Sequence, residues 1–164
     1  MLERAAGLPD VGQLRDDLEI LAAHHRPVGS QGEADAVRYL RDRFEEMGYS
    51  VTLQPYPDGQ GRTGHNVAAV KAASVPDADI LVLSAHHDSV PTAYGANDNA
   101  SGVAALLYTA EALRNVPTDT EVRFLSFTDE ENGKNGSRTY TASLTEEERT
   151  RIVGAIQFDM LGGL

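Results

Sequence analysis

The stretch from Ala85 to Gly102 reads AHHDSVPTAYGANDNASG and closes an apolar run on two imidazoles and an acid. Two later apolar runs end in a similar way. DILVLSA stops on His86, His87 and Asp88, EVRFLSF on Asp129, Glu130 and Glu131, and IVGAIQF on Asp159. In open α/β sheets ligands bind beyond the carboxyl ends of the strands, so parallel strands bring these groups to one rim, with Asp98 in a loop overhanging it. One polar strand end is unremarkable; three ending on His or carboxylate are not. Several acids gathered with no basic residue among them cost free energy unless a cation is bound. Histidine with aspartate and glutamate and no sulfur suits zinc, and less specifically cobalt or manganese.

The elements that must position these groups are legible in the periodicity. Leu14, Leu18, Leu21 and Ala22 mark a first helix from about Val11 to His25. Ser30 and Glu33 form a Ser-x-x-Glu capping box before a second, whose face is Val37, Leu40, Phe44 and Met47, ending at Gly48. Tyr49–Gln54 alternates like an edge strand, and the turn-rich DGQGRTG before Asn66–Val70 predicts a hairpin. VAALLYTAEALRNV is a helix between the first two runs, with Asn99 and Ser101 as candidate N-caps, and Thr145 with Glu148 caps another. Strand-helix alternation of this kind gives an α/β protein with a largely parallel sheet, and 164 residues make one domain.

Composition excludes several functions. With 25 acidic against 14 basic side chains the formal net charge is −11, which repels nucleic-acid phosphates and anionic lipid. No cysteine is present, so there is no disulfide and no thiolate site. No run reaches the ~18 apolar residues of a membrane span, and MLERAAGLPDV does not read as a signal peptide.

The motifs HHD, GANDNASG, EENGKNGS and FDMLG, in this order and spacing, resemble metallopeptidase family twenty-eight, the co-catalytic di-zinc aminopeptidases of the leucyl aminopeptidase and aminopeptidase Y type. HRPVGSQGEADAVRYL and GHNV resemble that family's lead-in, so the likeness covers nearly the whole chain. It implies a three-layer α/β/α zinc exopeptidase fold with a mixed, largely parallel sheet. It further implies that His86, Asp98 and Asp159 bind one Zn²⁺, that Asp98 bridges to a second served by Glu131, and that Glu130 is the general base. Asp88 is then the acceptor that fixes the His86 ring, and the Asp98–Asn99 peptide bond is cis. A carboxylate can span two cations ~3.5–4 Å apart, as a bridge must.

The implied activity is hydrolysis of N-terminal residues from peptides with a free α-amino group, through metal-activated water. The family supplies a further histidine to the second zinc from a loop lying beyond Leu164, so that site is incomplete here and the fold truncated. A second chain or copy, a longer protein or a one-metal relative would each account for it. Lys134, where the family often has Leu, and Asn97, often Asp, are smaller departures. Two other readings stand beside the peptidase: a one-zinc acyltransferase like glutaminyl cyclase, and a non-catalytic interaction module of the same fold. His87 reads as a packing side chain, His24, His25 and His65 as structural or surface groups, and Glu146–Glu148 as a solvated helix face.

Overall fold

The computed structural model describes residues 9–162. Helix α1 (Val11–Leu21) starts where Asp10 Oδ1 accepts from Gly12 N at 2.9 Å, and α2 (Gln31–Glu46) where Ser30 Oγ accepts from Glu33 N at 3.1 Å. Leu40 and Phe44 are fully buried, Val37 and Met47 nearly so, as the helical spacing requires. Each such side chain contributes about 1.5–3 kcal/mol by leaving water. Gly48, at φ +86, turns the chain out of the helix into β1 (Ser50–Pro57).

Strand β1 forms the predicted hairpin with β2 (Thr63–Lys71), running from Ser50 opposite Val70 to Pro57 opposite Thr63. β3 (Ile80–His86), β4 (Glu121–Phe127) and β5 (Ile152–Gln157) are the three apolar runs. The sheet order is β1-β2-β4-β3-β5; β3 is parallel to both β4 and β5, and β2 is antiparallel to β1 and β4. The parallel part is therefore the part that ends on His86, Asp129 and Asp159. α1, α2 and α3 (Ser101–Leu113) bury one face around Phe44, Leu106, Leu107 and Phe124. On the opposite face Ile80, Val82, Leu125 and Phe127 form a smaller core under Tyr140 of α4 (Asn135–Ser143). α5 (Glu146–Arg151) joins that side through Glu148 and the Arg123 guanidinium at 2.8 Å, and its Thr145 capping box is complete. Helix α4 was not anticipated, because NGSRTYTAS carries no apolar stripe and only Gly136 of it is buried. β5 pairs with β3 alone among the described residues and leaves Val153 and Ile156 exposed.

The Ser30–Glu33 capping box is only half formed. The Ser30 N–H donates to Pro27 O, and the Glu33 carboxylate turns inward instead. It accepts from Gly29 N at 2.5 Å, from His65 N at 3.2 Å and from the Thr128 hydroxyl, tying α2 to β2 and to the end of β4. His87, fully buried, places Nε2 3.7 Å from Glu33 Oε1 and Nδ1 2.9 Å from Ser126 Oγ. Burial would raise the Glu33 carboxyl, but the His87 ring, the Thr128 hydroxyl and the Gly29 N–H outweigh it and hold it below the usual range.

Glu33 thus stabilises the fold above its unfolded pKa of ~4.3, and that contribution disappears as pH falls through the lower folded value. Glu33→Ala is expected to cost about 3 kcal/mol in chemical denaturation, since it strands buried donors. Glu33→Gln is expected to flatten the loss of stability on the acid side; an acid limb identical to that of the parent chain would remove Glu33 from this role.

Candidate metal centre

Strand β3 delivers His86 at its last residue, where the ring is buried to 1% exposure. Its Nδ1 lies 3.3 Å from Asp88 Oδ1. An ionised carboxylate only accepts, so Asp88 favours the tautomer with hydrogen on Nδ1 and turns Nε2 outward. Nε2 stands 3.1 Å from Asp98 Oδ1, 3.8 Å from Asp159 Oδ1 and 4.0 Å from Glu130 Oε2. One ligand atom each from His86, Asp98 and Asp159 fall within 4.8 Å of one another, the one such group among the described residues.

Asp88 serves two purposes at once. Besides facing the His86 ring, it accepts from Glu130 N at 3.1 Å and Glu131 N at 3.2 Å, so the same carboxylate fixes both the imidazole and the backbone under the two glutamates. Burial would push it up, yet the His86 ring and those N–H groups keep it below the usual carboxylate range. The His86 ring shows the reverse: burial lowers it, but Asp88, Glu130 and Asp159 push it up to about 9. The Glu131 carboxyl is raised by burial and by repulsion from Asp98, Asp88 and Glu130. A rim that draws a proton onto a buried histidine is a rim short of positive charge, and a divalent ion held by His86, Asp98 and Asp159 meets that need. Glu131 lies outside the converging trio.

Asp98 sits in an irregular turn, Ala96–Ala100, whose Asp98–Asn99 peptide bond is cis, as the motif implied. Asn99 and Ser101 do not serve simply as N-caps. Asn99 Oδ1 accepts from Gly102 N at 3.0 Å but also from Met160 N at 3.3 Å, and its Nδ2 donates to Phe158 O at 2.9 Å. The amide therefore brackets Asp159 from both sides. Ser101, inside α3, accepts from Leu161 N at 3.0 Å, and Asn97 Oδ1 from Gly162 N at 2.8 Å. Gly102 is needed for this approach: a Cβ there would be driven into Asn99 Oδ1 and the Phe158 carbonyl. Asp129, grouped with the strand-end acids by its position, turns away from the rim. It is buried and accepts from the Asn132 and Asn135 amides.

Arg26 is a positioning residue the motifs did not single out. Its guanidinium is fully buried and donates to the carbonyls of Leu21, His24, His87, Tyr94 and Gly95, joining the end of α1 and the loop before α2 to the segment between His86 and Asp98. Burial pulls it down to about 10, partly offset by the Asp88 charge. His24 is exposed and His25 packs edge-on against Tyr94, so neither joins the centre.

The sequence profile of peptidase family M28 matches residues 66–164, more than half of the chain. The chain belongs to that family. Aminopeptidase YwaD of Bacillus subtilis (strain 168) is 40% identical to it over 102 residues, 62% of this chain and 22% of that protein. The chain spans about a third or less of the length of the curated M28 relatives it matches. Among solved structures, BSAP, a zinc aminopeptidase from Bacillus subtilis, shares the fold with a TM-score of 0.88 at 18% identity, over 94% of this chain and 70% of that one. A glutaminyl cyclase from Macrostomum lignano shares it with a TM-score of 0.75 at 24% identity, over 98% and 57%.

If Asp88 and Asn99 orient the metal-holding groups of this M28 chain, Asp88→Asn and Asn99→Ala are each expected to weaken divalent-metal affinity about 10–100-fold. Competition against a chromophoric chelator measures this directly, and affinities matching the parent chain's would show that neither residue supports the centre.

Proposed function

We propose that this chain carries the metal-holding part of an aminopeptidase centre that hydrolyses the N-terminal peptide bond of peptides with a free α-amino group. The observation that carries the reading is the convergence of His86, Asp98 and Asp159 with a fourth group, Glu130, poised 4.0 Å from the same imidazole nitrogen. The M28 match and the zinc aminopeptidase BSAP support zinc as the ion. The donor set fits it: one imidazole nitrogen, carboxylate oxygens and no thiol. His86, Asp98 and Asp159 would hold the first ion; Asp98 and Glu131 are the groups available to another.

Zinc bound there would acidify water and polarise a peptide carbonyl. The chain's own residues do the rest. Asp88 keeps the His86 ring turned and the backbone of Glu130 fixed. Glu130 takes a proton from the attacking water and returns it to the departing amine nitrogen, so it ends the cycle as it began. The surplus of carboxylates at the rim favours a cationic peptide N-terminus over an anionic one.

One observation keeps a second reading in view. The described residues bring together one trio of ligands, and a glutaminyl cyclase shares the fold. In that case the product from a glutaminyl peptide is pyroglutamate rather than free glutamine. The non-catalytic module is less well supported, because His86, Asp98, Glu130, Glu131 and Asp159 all carry the side chains the chemistry requires.

Incubation with zinc and amino-acid anilides is expected to release the anilide chromophore. Glu130→Gln is expected to reduce that rate about 10²–10⁴-fold while leaving bound zinc unchanged. Full activity in Glu130→Gln would discard Glu130 as the base, and pyroglutamate formation without hydrolysis would favour the cyclase.

A further inference from the structure

The segment Glu130–Gly136 reads EENGKNG, with two Asn-Gly steps beside the candidate general base. Both asparagines spend their side-chain amides on one acceptor. Asn132 Nδ2 donates to Asp129 Oδ1 at 2.6 Å and Asn135 Nδ2 to Asp129 Oδ2 at 2.7 Å. Asp129 is 2% exposed and sits at φ +53, so its carboxylate is a buried anion held in place by two neutral donors. Asn–Gly is the step at which the backbone nitrogen most readily reaches the preceding side-chain carbonyl, because glycine offers no Cβ to block the approach and little resistance to the change in backbone angles.

The two steps differ in their surroundings. Asn132, Gly133 and Lys134 are three consecutive exposed residues, and Gly133, at φ +119, has no heavy atom closer than 4.0 Å to where a Cβ would stand. One turn bond, Gly133 N to Glu130 O at 2.9 Å, must open before attack. Asn135, by contrast, is half-buried and opens α4, and the buried Gly136 is pressed against Thr128 and Asn66. Helical backbone there keeps the Asn135 side-chain carbon away from the following nitrogen.

We infer that Asn132 is a site of spontaneous deamidation that ages the candidate active-site loop. The Gly133 backbone nitrogen attacks Asn132 Cγ, a C–N bond forms, and the side-chain nitrogen leaves as ammonia. Water then opens the resulting succinimide to aspartate or isoaspartate, so the sum is one water consumed and one ammonia released. The product replaces a donor to Asp129 with a second carboxylate at the same place. Two anions then meet where an amide met one, with Asp129 too deep to be solvated. The turn carrying Glu130 and Glu131 has to rearrange, and this last consequence for the metal rests on the function proposed above.

The test is peptide mapping by mass spectrometry of the purified chain held in mildly alkaline buffer. The expected result is a gain of about one dalton, with isoaspartate, at Asn132 several-fold sooner than at Asn135, and convergence of the two rates in urea. Equal rates in the folded chain, or conversion at Asn135 first, would overturn the inference. Asn132→Asp, as a mimic, is expected to weaken zinc affinity roughly tenfold. Parent-like affinity in that variant would overturn the consequence for the centre. The mass shift stands or falls without reference to peptidase activity, so failure of the proposed function and failure of this inference are told apart.

Discussion

Mutual repulsion among Asp88, Asp98, Glu130 and Asp159 around one buried imidazole is the constraint the rest of this structure answers to. Left to themselves, such groups spread into water. Here two of them are fixed by neutral groups, Asp88 through its own carboxylate and Asp159 through the backbone on either side of it, without loss of charge. Asp88 is held by the backbone N–H groups of Glu130 and Glu131, and Asp159 is flanked by the two ends of the Asn99 amide. Because the tethers are mainly amides, the concentrated negative potential survives folding. That potential raises the affinity of His86 for positive charge and suits the rim to a divalent ion.

A framework under such tension needs support further out, and it is supplied by two buried charged side chains with unlike strategies. Arg26 satisfies its guanidinium on five carbonyls and holds the segment between His86 and Asp98 against the end of α1. Glu33 does the converse with N–H and hydroxyl donors, joining α2 to β2 and to the end of β4. Neither has an ion-pair partner within hydrogen-bond distance among the described residues. Backbone carbonyls therefore carry the compensation for Arg26, while for Glu33 the His87 ring and the Thr128 hydroxyl share it with the Gly29 N–H.

Much of this was written in the sequence and some was not, for reasons that differ by residue. The strands ending on His86 and Asp159, the hairpin and the Val37–Phe44 face depend on periodicities of two and 3.6, which survive in any sequence that forms these elements. The rim itself was visible because parallel strands share an end; that His86, Asp98 and Asp159 are the groups that meet there was implied by the likeness of the motifs. The inward turn of Glu33 was hidden, since a capping box and a buried hub have the same spacing and differ only in what lies across the gap. Asn99 was hidden likewise: its bond to Gly102 is local, but those to Phe158 and Met160 span about sixty residues and leave no trace in either segment. Asp129 misled by adjacency, because a left-handed residue aims its side chain away from that of its neighbour.

One shared fixture has a bearing on how the centre would fail. Asp88 faces the His86 ring and also accepts from the backbone of Glu130 and Glu131. Its loss would release the imidazole and the two glutamates together, so the rim would slacken as a unit rather than one group at a time.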